Sequence, residues 1–186
     1  MSAQKRLLII AGSDSGGGAG IQADIKTAST FGVFAMTAVT AVTAQNTRGV
    51  KGEHLVPPAI VAEQIAATLS DIGADAIKIG MLGNAAIVKA VAGALRKHAK
   101  KIPVVLDPVM ISTSGHALLA KDAVAVLKKE LFPLATLVTP NIPEAKALAG
   151  MRGSKRTHAE EAARALIAVG AKAALIKGGH ATSSTI

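Results

Sequence analysis

Short apolar runs alternate with longer stretches of helical period along this chain, and turn residues separate them. Leu7–Ala11 is apolar throughout and stops at Gly12. A run without polar alternation suits a strand buried on both faces. Ala19–Phe31 carries a helical pattern up to Gly32, and Phe34–Ala44, with its Val and Thr, reads as the next strand. Gln45–Gly49 is a turn, and Val50–Val56 is a short excursion. Pro57 and Pro58 punctuate before a helix over Ala59–Ile72, in which Ile60, Gln64, Ile65, Thr68 and Leu69 recur turn by turn. Ala76–Leu82 is strand-like. Asn84 can cap a helix over Ala85–His98, whose last turn holds Arg96, Lys97 and His98, where cations favour the helix dipole.

The alternation continues to the end. Pro103–Leu106 is a buried strand halted by Asp107 and Pro108. A helix follows over Lys121–Leu131, then a short strand over Leu137–Thr139 before Pro140. Pro143–Ala149 and His158–Val169 are helices, and Ala173–Ile176 is a last strand running into Lys177. Strand and helix taking turns, without repeats, predict an α/β domain with a mostly parallel sheet. Such sheets bind ligands in the crevice at the carboxyl ends of their strands. Here every such end carries glycine or polar punctuation: Gly12–Gly20, Gln45-Asn46, Gly80–Gly83, Asp107–Met110 with Ser112–Gly115, Thr139–Glu144, and Lys177–His180. We therefore expect one site along one edge.

Composition narrows the class. The 186 residues are 50% hydrophobic and 18% charged, which fits one domain with a real core. Aromatics are 2%, with no Trp or Tyr, so Ala, Val, Ile and Leu must build that core, and a base-stacking platform is not expected. With no Cys, disulfides and thiolate metal sites are excluded. Met1–Arg6 shows no cleavage pattern, and no apolar run approaches the ~18–20 residues of a membrane span, so the expected location is cytoplasmic, with no membrane partner. The net charge of +9 is spread evenly: 10 Lys/Arg against 6 Asp/Glu in residues 1–100, and 11 against 6 in residues 101–186. An even spread argues against nucleic acid and suits small anionic substrates.

The chemistry lies in the punctuation. The stretch Ala11-Gly-Ser-Asp-Ser-Gly-Gly-Gly-Ala-Gly-Ile-Gln-Ala-Asp24 reads as strand, glycine loop and helix start, where backbone N–H groups attract anions. It holds no G-x-x-x-x-G-K-[ST]. It fits the dinucleotide fingerprint only loosely, because Thr43-Ala-Gln45 stands where that fingerprint wants an acid. Asp24 is either an exposed acid of the first helical turns or a ligand contact. The amide of Gln45 offers a donor and an acceptor together, which suits a heteroaromatic edge bearing an amino group and a ring nitrogen. Met81 is core or ligand wall. Asp107, Asn141 and Glu144 are hard oxygen donors at neighbouring strand ends, suited to Mg²⁺ shared with phosphates. Glu144 could equally serve a helix start. Lys177 can offset charge on a transferring phosphoryl group, or it is simply solvated. His54, His98, His116, His158 and His180 lack metal spacing and receive no role.

The glycine stretch, with Thr40–Asn46, Asp75–Leu82, Leu106–Met110, Thr139–Ala145 and Lys177–His180, resembles the hydroxymethylpyrimidine/phosphomethylpyrimidine kinases of thiamine biosynthesis, in the ribokinase-like superfamily. The motifs run in the family's order from about Leu7 to His180. The resemblance implies a three-layer fold and one kinase domain over 1–186. It implies ATP-dependent phosphorylation of the hydroxymethyl group and then of the monophosphate, with Mg²⁺, a small pyrimidine substrate and a homodimer. It also implies that Gly12, Asp24, Gln45, Met81 and Val109 line the pyrimidine pocket. Asn141 and Glu144 match the N-x-x-E motif that organises Mg²⁺ and phosphates, Asp107 lies near the metal, and Lys177 lies near the nucleotide phosphates.

One departure stands out. The family carries a second glycine motif, Gly-Thr-Gly-Cys, beyond Lys-Gly-Gly-His, whereas this sequence closes on Ala181–Ile186 without Cys. The expectation is a chain lacking the family's C-terminal part, with exposed apolar surface and marginal stability. A pyrimidine-binding fragment without catalysis, and a pyridoxal kinase of the same superfamily, are the rival expectations.

Overall fold

The computed structural model describes residues 4–110, 118–120, 122–151 and 158–178. In chain order the elements are β1 (Arg6–Asp14), α1 (Gly20–Thr30), β2 (Phe34–Asn46), β3 (Gly49–Leu55), α2 (Pro58–Asp71), β4 (Ala76–Ile79) and α3 (Ala85–His98). Then come β5 (Val104–Leu106), α4 (Ala123–Glu130), a 3-10 turn (Phe132–Leu134), β6 (Leu137–Val138), α5 (Ile142–Ala149) and α6 (His158–Ala168). The sheet order is β3-β2-β1-β4-β5-β6. β1 pairs in parallel with both β2 and β4, and β4, β5 and β6 continue in parallel.

The crossover through α1 runs from β1 toward one edge, while those through α2, α3 and α4 run toward the other. Right-handed crossovers then put α1 on one face of the sheet and α2–α4 on the opposite face. The side chains agree. Leu8, Ile10, Ile77 and Ile79 enter the main core with Ile65 of α2, Ile87, Val91 and Leu95 of α3, and Leu127 of α4. Lys78, between Ile77 and Ile79, points the other way, toward Asp24 of α1. Phe132 is the one fully buried aromatic among the described residues, as the composition requires.

Local chemistry fixes the elements much as anticipated. The Asn84 side chain caps α3 by accepting from the Ile87 N–H at 2.9 Å. Gln64, on the inner stripe of α2, accepts from the Val39 N–H at 2.9 Å and donates to its carbonyl at 3.1 Å. Three expectations need correction. Val50–Val56 is not an excursion: it supplies β3, antiparallel to β2, through a tight turn in which Asn46 Oδ1 accepts from the Arg48 N–H at 2.9 Å. β4 stops at Ile79 rather than Leu82. Gly80 N–H still bonds the Ile10 carbonyl, but the buried Thr40 hydroxyl then takes the Met81 carbonyl at 2.7 Å. The final strand over Ala173–Ile176 is reduced to isolated bridges, Val138 with Ala174 and Asn141 with Lys177. Its neighbour β6 is only two residues long and offers little to pair with. Leu175, in that stretch, is 56% exposed.

Arg6 ties the amino ends of β1 and β4 together. Its backbone N–H and its guanidinium both donate to Asp75 Oδ2, at 2.8 and 3.2 Å. The Arg6 guanidinium, then its backbone N–H, hold the Asp75 carboxyl below its ordinary value. A depressed folded-state value stabilises above the unfolded-state value and is lost as the pH falls through the folded one. The melting temperature of the chain should therefore exceed that of Asp75→Asn at pH 7, and the gap should close as the pH drops below about 4. A gap that widened on acidification would be the wrong sign.

Candidate functional site

At the carboxyl end of β1 the chain must satisfy a run of loop N–H groups with no sheet or helix partner. Asp14 does this. Its carboxylate, 5% exposed, accepts from Gly16 at 2.8 Å, Gly18 at 3.0 Å and Ala19 at 2.8 Å. Its carbonyl accepts from Gly17 at 3.0 Å. Gln22, one turn into α1, accepts from the Asp14 N–H at 2.8 Å and donates to Ser13 Oγ at 2.7 Å. The anion that the glycine loop attracts is thus supplied by the chain itself. The loop N–H groups expected to attract an anion are therefore already engaged by the chain's own carboxylate. Gly20 takes φ +56°, and a Cβ there would collide with the Gly12 carbonyl.

Beside the loop lies a cleft of about 730 Å³ at the switch point between β1 and β4. Gly12, Asp24, Gln45, Met81 and Val109 all line it, together with Asp107. Gly12 is needed for close approach: a Cβ would stand 2.7 Å from Met81 Sδ. Met81 is 7% exposed, so it is both core and cleft wall. Ser15 holds the backbone of Gln45, donating to its carbonyl at 2.7 Å and accepting from its N–H at 2.8 Å. That leaves the Gln45 side chain at the cleft, with its Oε1 3.3 Å from Thr43 Oγ1. Asp24 is no free surface acid: Lys78 Nζ donates to its Oδ2 at 2.6 Å, both side chains about three-quarters buried. A second cavity, about 460 Å³, lies at the amino ends of β5 and β6 and touches none of the candidate residues.

The remaining candidates flank the cleft. Lys177 Nζ donates to Asp107 Oδ1 at 2.6 Å, so Lys177 is paired rather than merely solvated. Asn141 and Glu144 form a capping box on α5: Asn141 Oδ1 accepts from the Glu144 N–H at 2.9 Å, and Glu144 Oε2 from the Asn141 N–H at 2.8 Å. Glu144 is buried, and its Oε1 accepts from the Met110 N–H at 3.4 Å, beside Val109. The helix-start role of Glu144 is therefore present. It also ties the β5 loop to α5.

Two residues of the site were not singled out from sequence, Asp14 and Lys78. The signal for Asp14 was a short acceptor side chain separated only by Ser15 from three glycines. That for Lys78 was a lone cation inside an otherwise apolar strand. Ser112–Gly115, His116, Gly179, His180 and the Ala181–Ile186 tail lie outside the described residues, as does Lys121 at the expected start of α4.

With this geometry in place, comparison with known proteins is direct. The fold is that of the ribokinase-like kinases. The crystal structure of phosphomethylpyrimidine kinase from Clostridium difficile 630 is 42% identical with a TM-score of 0.89, over 98% of this chain and 78% of that one. The pyridoxal kinase of Staphylococcus aureus in complex with pyridoxal is 34% identical with a TM-score of 0.85, over 96% and 66%. The chain belongs to the phosphomethylpyrimidine kinase family, whose model matches residues 14–186. It is 53% identical to the thiamine biosynthesis bifunctional protein ThiED of Geobacter sulfurreducens, over 94% of this chain and 35% of that protein. It is 51% identical to the hydroxymethylpyrimidine/phosphomethylpyrimidine kinase of Mycobacterium tuberculosis H37Rv, over 96% and 65%. The chain thus spans about a third of the first relative and about two thirds of the second.

The Asp14 cap generates a stability prediction. Asp14→Ala leaves three loop N–H groups to water, and hydrogen bonds to a charged acceptor contribute about 1.5–3 kcal/mol each where solvent cannot replace them. The glycine loop is largely exposed, so the expected loss in urea unfolding is about 2 kcal/mol. Asp14→Asn, which keeps one acceptor oxygen, should lose less. Equal stability of all three proteins would contradict the cap.

Proposed function

We propose that this chain serves ATP-dependent phosphorylation of 4-amino-5-hydroxymethyl-2-methylpyrimidine and its monophosphate. The observation that carries the reading is the convergence of Gly12, Asp24, Gln45, Met81 and Val109, from the ends of four strands and from α1, on one cleft. Met81, Val109 and the bare backbone of Gly12 offer a flat apolar slot for a heteroaromatic ring. Gln45 presents an amide donor and acceptor to the amino-bearing edge, and Asp24 adds an acceptor. Hydroxymethylpyrimidine/phosphomethylpyrimidine kinase is also what several relatives at about 50% identity are called.

The phosphate side of the reading rests on Asp107, Asn141, Glu144 and Lys177. Lys177 is the cation for charge on the transferring phosphoryl group, poised by Asp107. Among the described residues no cluster of three or more acidic or histidine side chains is suited to a metal. The donor set is two carboxylates, Asp107 and Glu144. That fits Mg²⁺, which takes one or two carboxylates and completes its shell with water and substrate phosphates. Bound there, it would neutralise phosphate charge. The capping box holds the Glu144 carboxylate at the start of α5, and a Bacillus subtilis pyridoxal kinase at 37% identity is known as an ADP complex. We further assign residues 1–186 to one kinase domain acting in the cytoplasm as a homodimer. Among the described residues no helix is long and apolar enough to cross a membrane.

Calorimetry on the chain, paired with an ATP- and Mg²⁺-dependent transfer assay, tests this. Hydroxymethylpyrimidine should bind, pyridoxal should bind more weakly, and Gln45→Leu should weaken pyrimidine binding about tenfold by removing a donor–acceptor pair. Turnover accompanying binding supports the kinase reading in full. Binding without turnover supports a pyrimidine-binding fragment instead, and preference for pyridoxal supports the pyridoxal kinase reading. In that same assay Lys177→Met should cost transfer at least about a hundredfold while leaving pyrimidine affinity within about twofold.

A further inference from the structure

Lys78 is a charged residue in a four-residue strand whose neighbours on either side, Ile77 and Ile79, are fully buried. Nothing in the core-packing role of β4 calls for an ammonium there. Its Nζ crosses to α1 and donates to Asp24 Oδ2 at 2.6 Å, at the wall of the cleft, with side chains 25% and 23% exposed. A carboxylate so far removed from water costs free energy unless a partner holds it. It would otherwise sample several rotamers at the cleft wall. The cation engages one oxygen only, and among the described residues Oδ1 has no hydrogen-bond partner.

We propose that Lys78 is a positioning residue for ligand binding, fixing the Asp24 carboxylate as an oriented acceptor for the ring of the bound pyrimidine. The inference rests on the pyrimidine reading of the cleft. Lys78 acts through Asp24: it takes Oδ2 and holds the side chain in one rotamer, leaving Oδ1 for the ligand. The pair lies on the α1 face of the sheet, away from the α2–α4 core, so its effect should fall on affinity more than on folding. Arg in place of Lys keeps the charge and the reach, whereas Met keeps only the stem.

Calorimetric titration of the chain with hydroxymethylpyrimidine, read as a double-mutant cycle, is the test. Lys78→Met should weaken binding about tenfold, Asp24→Asn should weaken it at least as much, and the double variant should be no weaker than Asp24→Asn alone. Lys78→Arg should restore affinity to within about threefold. Thermal melts run alongside, and Lys78→Gln replaces the Met variant should that protein melt early. Additive losses, or Lys78→Met and Lys78→Gln binding as tightly as the unaltered chain, would overturn the positioning role alone. Failure of the unaltered chain to bind the pyrimidine would overturn the reading of the cleft, and this inference with it.

Discussion

β1 has parallel neighbours on both sides, and the rest of the structure follows from that. A parallel pair cannot close through a short hairpin, so each pairing needs a longer connection: α1 carries the chain from β1 to β2 on one side, and α2 brings it from β3 back to β4 on the other. Helices then fall on both faces, and the carboxyl ends of β1, β2, β4 and β5 gather at one edge. At the point where the order reverses, no loop can span the gap between the diverging chains, and the cleft opens there. Position along the sheet therefore places the site before any side chain is considered.

The same topology leaves unpaired backbone at the strand ends, and side chains resolve it. Asp14 collects the N–H groups of the glycine loop, Thr40 takes the Met81 carbonyl, Ser15 brackets the backbone of Gln45, and Glu144 closes the start of α5. Each contact satisfies the backbone, and those of Asp14, Thr40 and Ser15 also hold residues that line the cleft. A glycine loop alone would be open to many conformations. Asp14 and Gln22 select one, so the slot is formed before a ligand arrives.

Patterns governed by local physics were legible in the sequence. Buried parallel strands show as apolar runs, and Leu7–Ala11 was visible on that basis, as was the strand expected over Ala76–Leu82, though not its early end at Ile79. Asn84 and the helix it caps were visible because capping is settled within three residues. The gathering of Gly12, Gln45, Met81 and Val109 was legible because punctuation marks the carboxyl ends. Pairing between distant segments was not. Nothing local tells that Val50–Val56 returns along β2, or that Ala173–Ile176 faces a two-residue partner and so forms bridges only. Nor does spacing show that Asp24 meets Lys78 across 54 positions, or that Asp107 meets Lys177 across 70. The glycine loop misled in one respect for the same reason. Its free N–H groups suggest an external anion until Asp14 is seen folded back onto them.

Those two long-range ion pairs give the cleft its electrical character. The chain carries a net +9, and this edge holds two acid–lysine pairs, each at 2.6 Å, while Arg48 also lines the cleft. Each pair cancels much of its own field, which leaves Arg48 as a further cation on the cleft wall. The pairs nonetheless differ in exposure. Lys78 is the more enclosed, at 25%, whereas Lys177 is 43% exposed. Water screens an exposed pair more than an enclosed one, so the Lys78–Asp24 contact holds its geometry more firmly than Lys177–Asp107.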